Sequence, residues 1–190
     1  MSDVQRKIYD FYETKVYNDA VLYGVYEKEE KIEVSFKYED TIEISEMSDI
    51  KSDLSYFLDN QDEEHLAAKK ILITFFSYSN DPGDWFVISN YADDDKYHEI
   101  AGYDDNQNGW WLYSVRFDDW RELEDNFSYV EGVCRCRVRE FGDISDIDPL
   151  KWENLKYIQI YYYGDDADIY EQKLKRLFPD VEVHLGPDLY

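Results

Sequence analysis

The run ILITFFSY, residues 71–78, decides the fold, because it is almost continuously apolar and rich in β-branched and aromatic side chains. Such a run is typical of a central strand that is covered on both faces. A turn follows, in which Pro82 fixes φ and Gly83 permits a positive φ. The run WFVISNY, residues 85–91, then indicates a returning strand. We therefore predict a β-hairpin here, around which the other strands assemble.

Upstream of this hairpin, the sequence predicts two helices and a second pair of strands. Residues 32–38 alternate apolar and polar side chains, which indicates a strand with one face in water, and residues 20–27 supply its neighbour. Apolar side chains at helical spacing predict one helix that ends near Lys15 and another that is capped by Ser48 or Asp49.

Downstream of the hairpin, strands and helices alternate. Strands are predicted at residues 110–117 and 132–140, and the helix between them is capped by Asp118 or Asp119. After a short helix that begins at Pro149, the last elements are a strand, a helix and a strand, at residues 157–163, 166–178 and 181–185. Such a series predicts a right-handed βαβ crossover.

Together these elements predict the α+β class, with a mainly antiparallel sheet, flanking helices and a C-terminal βαβ unit. A length of 190 residues fits one domain, residues 1–190. The alternative is a division into an antiparallel α+β part, residues 1–142, and the βαβ unit, residues 143–190.

The strand at residues 132–140 is predicted to have two chemically different sides. Alternation places its cysteines and Val138 on one side and its three arginines on the other. The arginines Arg135, Arg137 and Arg139 fit either an anion site or cross-strand pairs with acids, and the sequence leaves both readings open.

One strand carries a familiar pattern. The run LKYIQI, residues 155–160, resembles the LxxLxL strand of a leucine-rich repeat. Tyr163 stands where that pattern has Asn or Cys, and no second copy is visible at the expected period. Because a solenoid needs several stacked repeats, we interpret the run as an ordinary βα element.

The net charge of the chain limits the classes of partner that it is expected to bind. The formal net charge is −24, from 44 acidic and 20 basic residues. Nucleic acids and anionic membranes are polyanions, so neither is expected as a direct partner. No apolar run approaches the ~20 residues of a membrane span, and no secretory signal is visible. Cys134 and Cys136 lie too close in one strand for an unstrained disulfide, so reduced thiols and a cytoplasmic location are expected.

The stretch at residues 91–127 combines blocks of acids with large aromatic side chains. Carboxylates steer a cationic partner, and aromatic rings provide desolvated anchors. Because adjacent strand residues point to opposite faces, one of Trp110 and Trp111 is expected in the core. A solvated face over an ordinary β core is the simpler reading. The predicted partner-binding residues are Asp93, Asp94, Asp95, Asp104, Asp105, Trp110, Trp111, Asp118, Asp119 and Trp120.

No motif identifies a reaction, a cofactor or a metal. Residues 104–109 give the first half of a calcium loop, D-x-N-x-N-G, but the twelfth position is Val115 rather than a bidentate Glu, so calcium stays an open question. The histidines and cysteines lack zinc spacing, and no nucleophile motif is present. We therefore predict a binding protein with no cofactor and no metal, and not an enzyme.

In composition, the chain resembles the small acidic immunity proteins that bacteria carry beside polymorphic toxins. The resemblance implies stoichiometric inhibition of a basic protein such as a nuclease, whose phosphate-binding site a patch of carboxylates can cover. The alternatives are a DNA mimic that inhibits a DNA-binding protein, and a domain with a small-ligand pocket in its aromatic core. The oligomeric state is not indicated.

Overall fold

The computed structural model describes residues 1–61, 69–77, 86–90 and 109–187. The chain divides into two compact units, Met1–Asn90 and Tyr91–Tyr190. Each contains helices and a β-sheet, which confirms the α+β class. The division considered between residues 142 and 143 falls inside the second unit.

The first unit has two helices and four strands in its described part. They are α1 (Asp3–Glu13), β1 (Ala20–Lys28), β2 (Lys31–Tyr38), α2 (Ile44–Asp59), β3 (Lys70–Ser77) and β4 (Phe86–Ser89). β1 and β2 are antiparallel, β2 and β3 are parallel, and β3 and β4 are antiparallel. Both predicted pairs of neighbouring strands, β1–β2 and β3–β4, are confirmed.

One face of this sheet packs against the helices. Ser2 caps α1, and the buried side of α1 carries Ile8 and Tyr12. The Tyr12 hydroxyl donates to the carbonyl oxygen of Ile50 in α2 over 2.7 Å. The Tyr12 ring lies edge-on to Phe36 of β2, with 5.0 Å between ring centroids. The core of the first unit therefore lies between β2 and the two helices.

The second helix begins earlier than predicted, at Ile44 rather than after a cap at residues 48–49. The physical reason is Glu46, which is buried and ties the first turn of α2 to the segment before β1. Its carboxylate accepts the backbone N–H of Asp19 at 2.9 Å and that of Ala20 at 3.4 Å. A buried carboxylate bound to distant N–H groups leaves no local sequence signal.

The second unit has two helices, two short 3₁₀ helices and five strands in its described part. They are β5 (Trp111–Tyr113), β6 (Arg116–Phe117), α3 (Trp120–Phe127), β7 (Gly132–Val138), the 3₁₀ helices Ile144–Asp146 and Pro149–Trp152, β8 (Tyr157–Tyr161), α4 (Ala167–Leu177) and β9 (Glu182–Gly186). These strands pair in parallel in the order β5-β7-β8-β9, with β6 beside β7. The predicted C-terminal βαβ unit is confirmed as β8, α4 and β9, and parallel pairing extends upstream of it to β5.

The main strands of the second unit recur at a nearly constant spacing. Positions aligned in the sheet are Trp111, Gly132, Tyr157 and Glu182. They are separated by 21 residues once and by 25 residues twice. The run at residues 155–160 therefore contributes one of several parallel strands and is not an isolated element.

Two non-glycine residues with positive φ interrupt these strands at the same level. Ser114 (φ 60°) lies between β5 and β6, and Arg135 (φ 51°) lies in β7, where pairing with β8 shifts by an extra residue. Each such conformation costs about 1–3 kcal/mol. The extra residue reverses the alternation, so Cys134 and Cys136 face opposite sides of the sheet instead of one side as predicted.

The outer edge of β9 is protected by α4. The N–H of Leu185 donates to Glu171 Oε2 at 2.9 Å, and the other oxygen of Glu171 pairs with Lys175. Burial opposes ionisation of Glu171, but these hydrogen bonds hold its pKa below the usual value. An edge N–H that is already occupied offers less to a further strand.

Candidate functional site

The start of α3 gathers carboxylates at one end of a helix. Asp119 is the N-cap, and its side chain accepts the N–H of Arg121 at 2.7 Å, as predicted for Asp118 or Asp119. The side chain of Asp118 is exposed, and its backbone N–H donates to Glu122 Oε2 at 2.9 Å. The positive end of the helix dipole stabilises these negative charges.

Glu124 of α3 joins this helix to the segment that precedes β8. One of its oxygens accepts Lys151 Nζ at 2.9 Å, and the other accepts the N–H of Asp148 at 3.1 Å and Trp152 Nε1 at 3.3 Å. Burial opposes ionisation of Glu124, but these three donors hold its pKa below the usual value. The carboxylate therefore acts as a clamp between α3 and the second 3₁₀ helix.

A second clamp links Arg121 to Asp146 over 2.7 Å, so α3 and both 3₁₀ helices share one surface. We term residues 118–127 and 143–154 together the acidic surface. It contains nine carboxylates against two cationic side chains, a local excess of seven negative charges. Leu150 lies within it and is 85% exposed. Carboxylates around an exposed apolar side chain suit recognition of a basic protein.

A buried aromatic cluster supports the acidic surface from beneath. Trp120 is 1% exposed, and its ring centroid lies 5.3 Å from that of Trp152. The rings of Phe117 and Phe178 each lie 6.4 Å away. Rings locked in a core hold the backbone of both helical segments, so the carboxylates are displayed from a rigid base.

The predicted tryptophan anchors fall into two groups. Trp111 and Trp120 are each 1% exposed, so a partner cannot reach them and the anchor role fits neither. Trp111 lies across Gly132, where an added Cβ would come within 2.1 Å of the ring. Trp110 is partly exposed and remains a candidate. The expectation that one of the adjacent pair lies in the core is confirmed.

The predicted carboxylates are also divided. Asp118 and Asp119 belong to the acidic surface. The others, Asp93, Asp94, Asp95, Asp104 and Asp105, lie outside the described residues, as does nearly all of the calcium-like run.

Sequence reasoning missed the half of the acidic surface contributed by residues 143–154. Asp143 and Asp148 cap the two 3₁₀ helices, Leu150 is exposed within the second of them, and Glu153 is exposed directly after it. The available signal was topological. Two adjacent parallel strands need a connection across one face of the sheet, which places this segment beside the preceding helix.

Both thiols are expected to be unreactive in the folded protein. Cys134 and Cys136 are 0% exposed, and burial raises the pKa of each, that of Cys136 to about 12. Because the thiolate is the reactive species, iodoacetamide should label neither cysteine near neutral pH, and should label both in denaturant. Mass spectrometry shows which cysteines carry the label. Rapid labelling of the folded protein would contradict this burial and reopen a nucleophilic role.

Within residues 1–61, 69–77, 86–90 and 109–187, no group of three or more His, Cys, Asp or Glu side chains is arranged to hold a metal ion. In the same part of the chain, no helix is both long and apolar enough to cross a membrane.

No protein-family model, curated protein or solved structure matches the chain.

Proposed function

We propose that this chain is an acidic cytoplasmic protein that binds and inhibits a basic protein, as an immunity protein neutralises a toxin such as a nuclease. The acidic surface supports this proposal, because it has an excess of seven negative charges and includes the exposed Leu150.

The proposed inhibition needs no catalysis by this chain. An active site that binds phosphates is lined with cations, and a rigid carboxylate surface can occupy it. Long-range attraction raises the association rate, while a desolvated apolar contact at Leu150 slows dissociation.

Two charge-matched variants make the proposal testable. The acidic-surface variant carries Asp118→Asn, Asp125→Asn and Glu153→Gln, and all three side chains are exposed. The control variant carries Asp10→Asn, Glu13→Gln and Asp40→Asn, which are exposed in the first unit. Both variants lose the same charge, so only the position of the loss differs.

The experiment is affinity capture from the native cytoplasm at low salt, elution by salt, and an assay of the eluted protein. We expect the wild type and the control variant to capture one basic protein and to inhibit it at equimolar ratio. The acidic-surface variant should capture at least about tenfold less, because steering carboxylates are lost. Equal capture by both variants would refute the role of this surface. Displacement of the partner by duplex DNA would instead favour the DNA mimic.

A further inference from the structure

The connection between β8 and α4 exposes two large apolar side chains. Tyr163 comes two residues after β8 ends and is 72% exposed, and Ile169 in the first turn of α4 is 56% exposed. Asp165 and Asp168 lie between them in the sequence, and both are exposed. We term these four residues the anchor patch. Exposed apolar side chains with a polar rim are one mark of a protein–protein contact.

An aromatic cluster fixes the backbone on both sides of the anchor patch. The ring of Phe141, which is buried, stacks on that of Tyr170 in α4, with 4.8 Å between ring centroids. The Phe141 ring also meets the ring of Tyr162 edge-on, with 5.0 Å between centroids. Tyr162 directly precedes Tyr163, and Tyr170 directly follows Ile169. The two apolar side chains are therefore displayed next to residues that are locked by packing.

The connection itself is held in one conformation. The Tyr162 hydroxyl donates to Asp166 Oδ1 over 2.9 Å, which ties the end of β8 to the start of α4. Gly164 lies against the Tyr162 ring, because an added Cβ would come within 2.4 Å of it. A surface that is already ordered loses less conformational entropy when a partner binds.

The anchor patch adjoins the acidic surface. Phe141 comes two residues before Asp143, where the acidic surface begins. Hydrogen bonds from Ser145 are the main cause that lowers the pKa of Asp143, and the ammonium group of Lys173 in α4 lowers this pKa further. Exposed charges that are more than about 10 Å apart are largely screened. The start of the acidic surface and α4 are therefore neighbours, and one partner can contact both.

We infer that the anchor patch is a second contact for the basic protein proposed above, with Tyr163 and Ile169 as apolar anchors of that complex. This inference rests on the proposed function. The partner it requires has a cationic surface with an apolar recess, because residues 162–169 carry three aspartates and no cationic side chain. A second copy of this chain is disfavoured as the occupant by its own net charge of −24.

The anchors have a role that carboxylates cannot fill. Two of the tryptophans that the sequence predicted as anchors, Trp111 and Trp120, are buried, so other side chains must supply desolvated contacts. Tyrosine is one of the residue types that contribute most to binding energy at interfaces. Carboxylates act before contact by steering the partner, whereas anchors act after contact by excluding water. Loss of the anchors should therefore speed dissociation and leave association nearly unchanged.

The test measures association and dissociation rates with the basic protein that salt elutes from the wild type. The anchor-patch variant carries Tyr163→Ser and Ile169→Ser. The apolar control carries Tyr56→Ser and Val16→Ser, which change an exposed tyrosine and an exposed aliphatic side chain in the first unit. We expect the anchor-patch variant to dissociate at least about tenfold faster than the wild type, with an unchanged association rate, and the apolar control to behave like the wild type. Tyr163→Phe keeps the ring and should dissociate like the wild type.

The outcomes separate this inference from the proposed function. Equal dissociation rates for the anchor-patch variant and the apolar control would overturn the inference, while slower association of the acidic-surface variant would still support the proposed function. Slower association of the anchor-patch variant without faster dissociation would also overturn it, because the two side chains would then act through the acidic surface. Failure of the wild type to capture a basic protein would overturn both. Far-ultraviolet circular dichroism shows that each variant is folded.

Discussion

Trp120→Ala should lower the free energy of unfolding of the second unit by about 3–5 kcal/mol, the range for deleting a large buried aromatic side chain. Trp120 is 1% exposed and lies among Phe117, Trp152 and Phe178. Its removal leaves a cavity beneath both helical segments of the acidic surface. Urea unfolding followed by far-ultraviolet circular dichroism measures the change.

The matched control is Trp120→Phe, which keeps an aromatic ring at this position. It should lower the free energy of unfolding by about half as much as Trp120→Ala, or less. Basic-partner binding should fall with Trp120→Ala even where the protein stays folded, because the carboxylates lose their rigid base. A loss below about 1 kcal/mol for Trp120→Ala would contradict the packing described for this cluster.

Glu124→Ala should cost about 2–3 kcal/mol, because it removes the acceptor of three donors at once. Trp152 Nε1 would be left in a residue that is 2% exposed. The control is Asp125→Ala on the same helix, an exposed carboxylate whose loss should change stability by less than about 0.5 kcal/mol. Equal effects of the two substitutions would show that Glu124 is no clamp.

The hydrogen bonds to Glu124 also predict how the stability of the folded protein changes with pH. The pKa of Glu124 is held below its usual 4.5 in the folded protein, so its stabilising effect is complete above about pH 4.5 and is lost as pH falls through the lower folded value. Stability measured from pH 7 downward should therefore decline less steeply in Glu124→Ala than in the wild type. Parallel curves for the two proteins would contradict the lowered pKa.

Local sequence patterns predicted those elements that are marked by residue types within a few positions of one another. Residues 71–77 lie in strand β3 because β-branched and aromatic side chains favour extended backbone, and Asp119 caps α3 through a hydrogen bond to the residue two positions later. The C-terminal βαβ unit was visible because both its strands and its helix have clear apolar periodicity.

The other features of the fold and of the acidic surface depend on contacts between residues that are far apart in the sequence, so no short stretch of sequence predicts them. The acidic surface exists because Glu124 and Arg121 hold a segment some 25 residues away, and blocks of acids gave no hint of that partner. Tryptophan content suggested exposed anchors, but Trp111 and Trp120 gain more from filling the core. The reversal at Arg135 followed from an extra residue in one strand, which strict alternation cannot anticipate.

The most direct test of the acidic surface is the association rate with the captured basic protein, measured by stopped flow over a series of salt concentrations. We expect the acidic-surface variant to associate at least about tenfold more slowly at low salt, with a rate that depends less on salt, while the control variant behaves like the wild type. Identical association rates and identical salt dependence for the two variants would contradict the proposed role of the acidic surface. The association rate would then depend on the total charge of the protein and not on the position of the carboxylates.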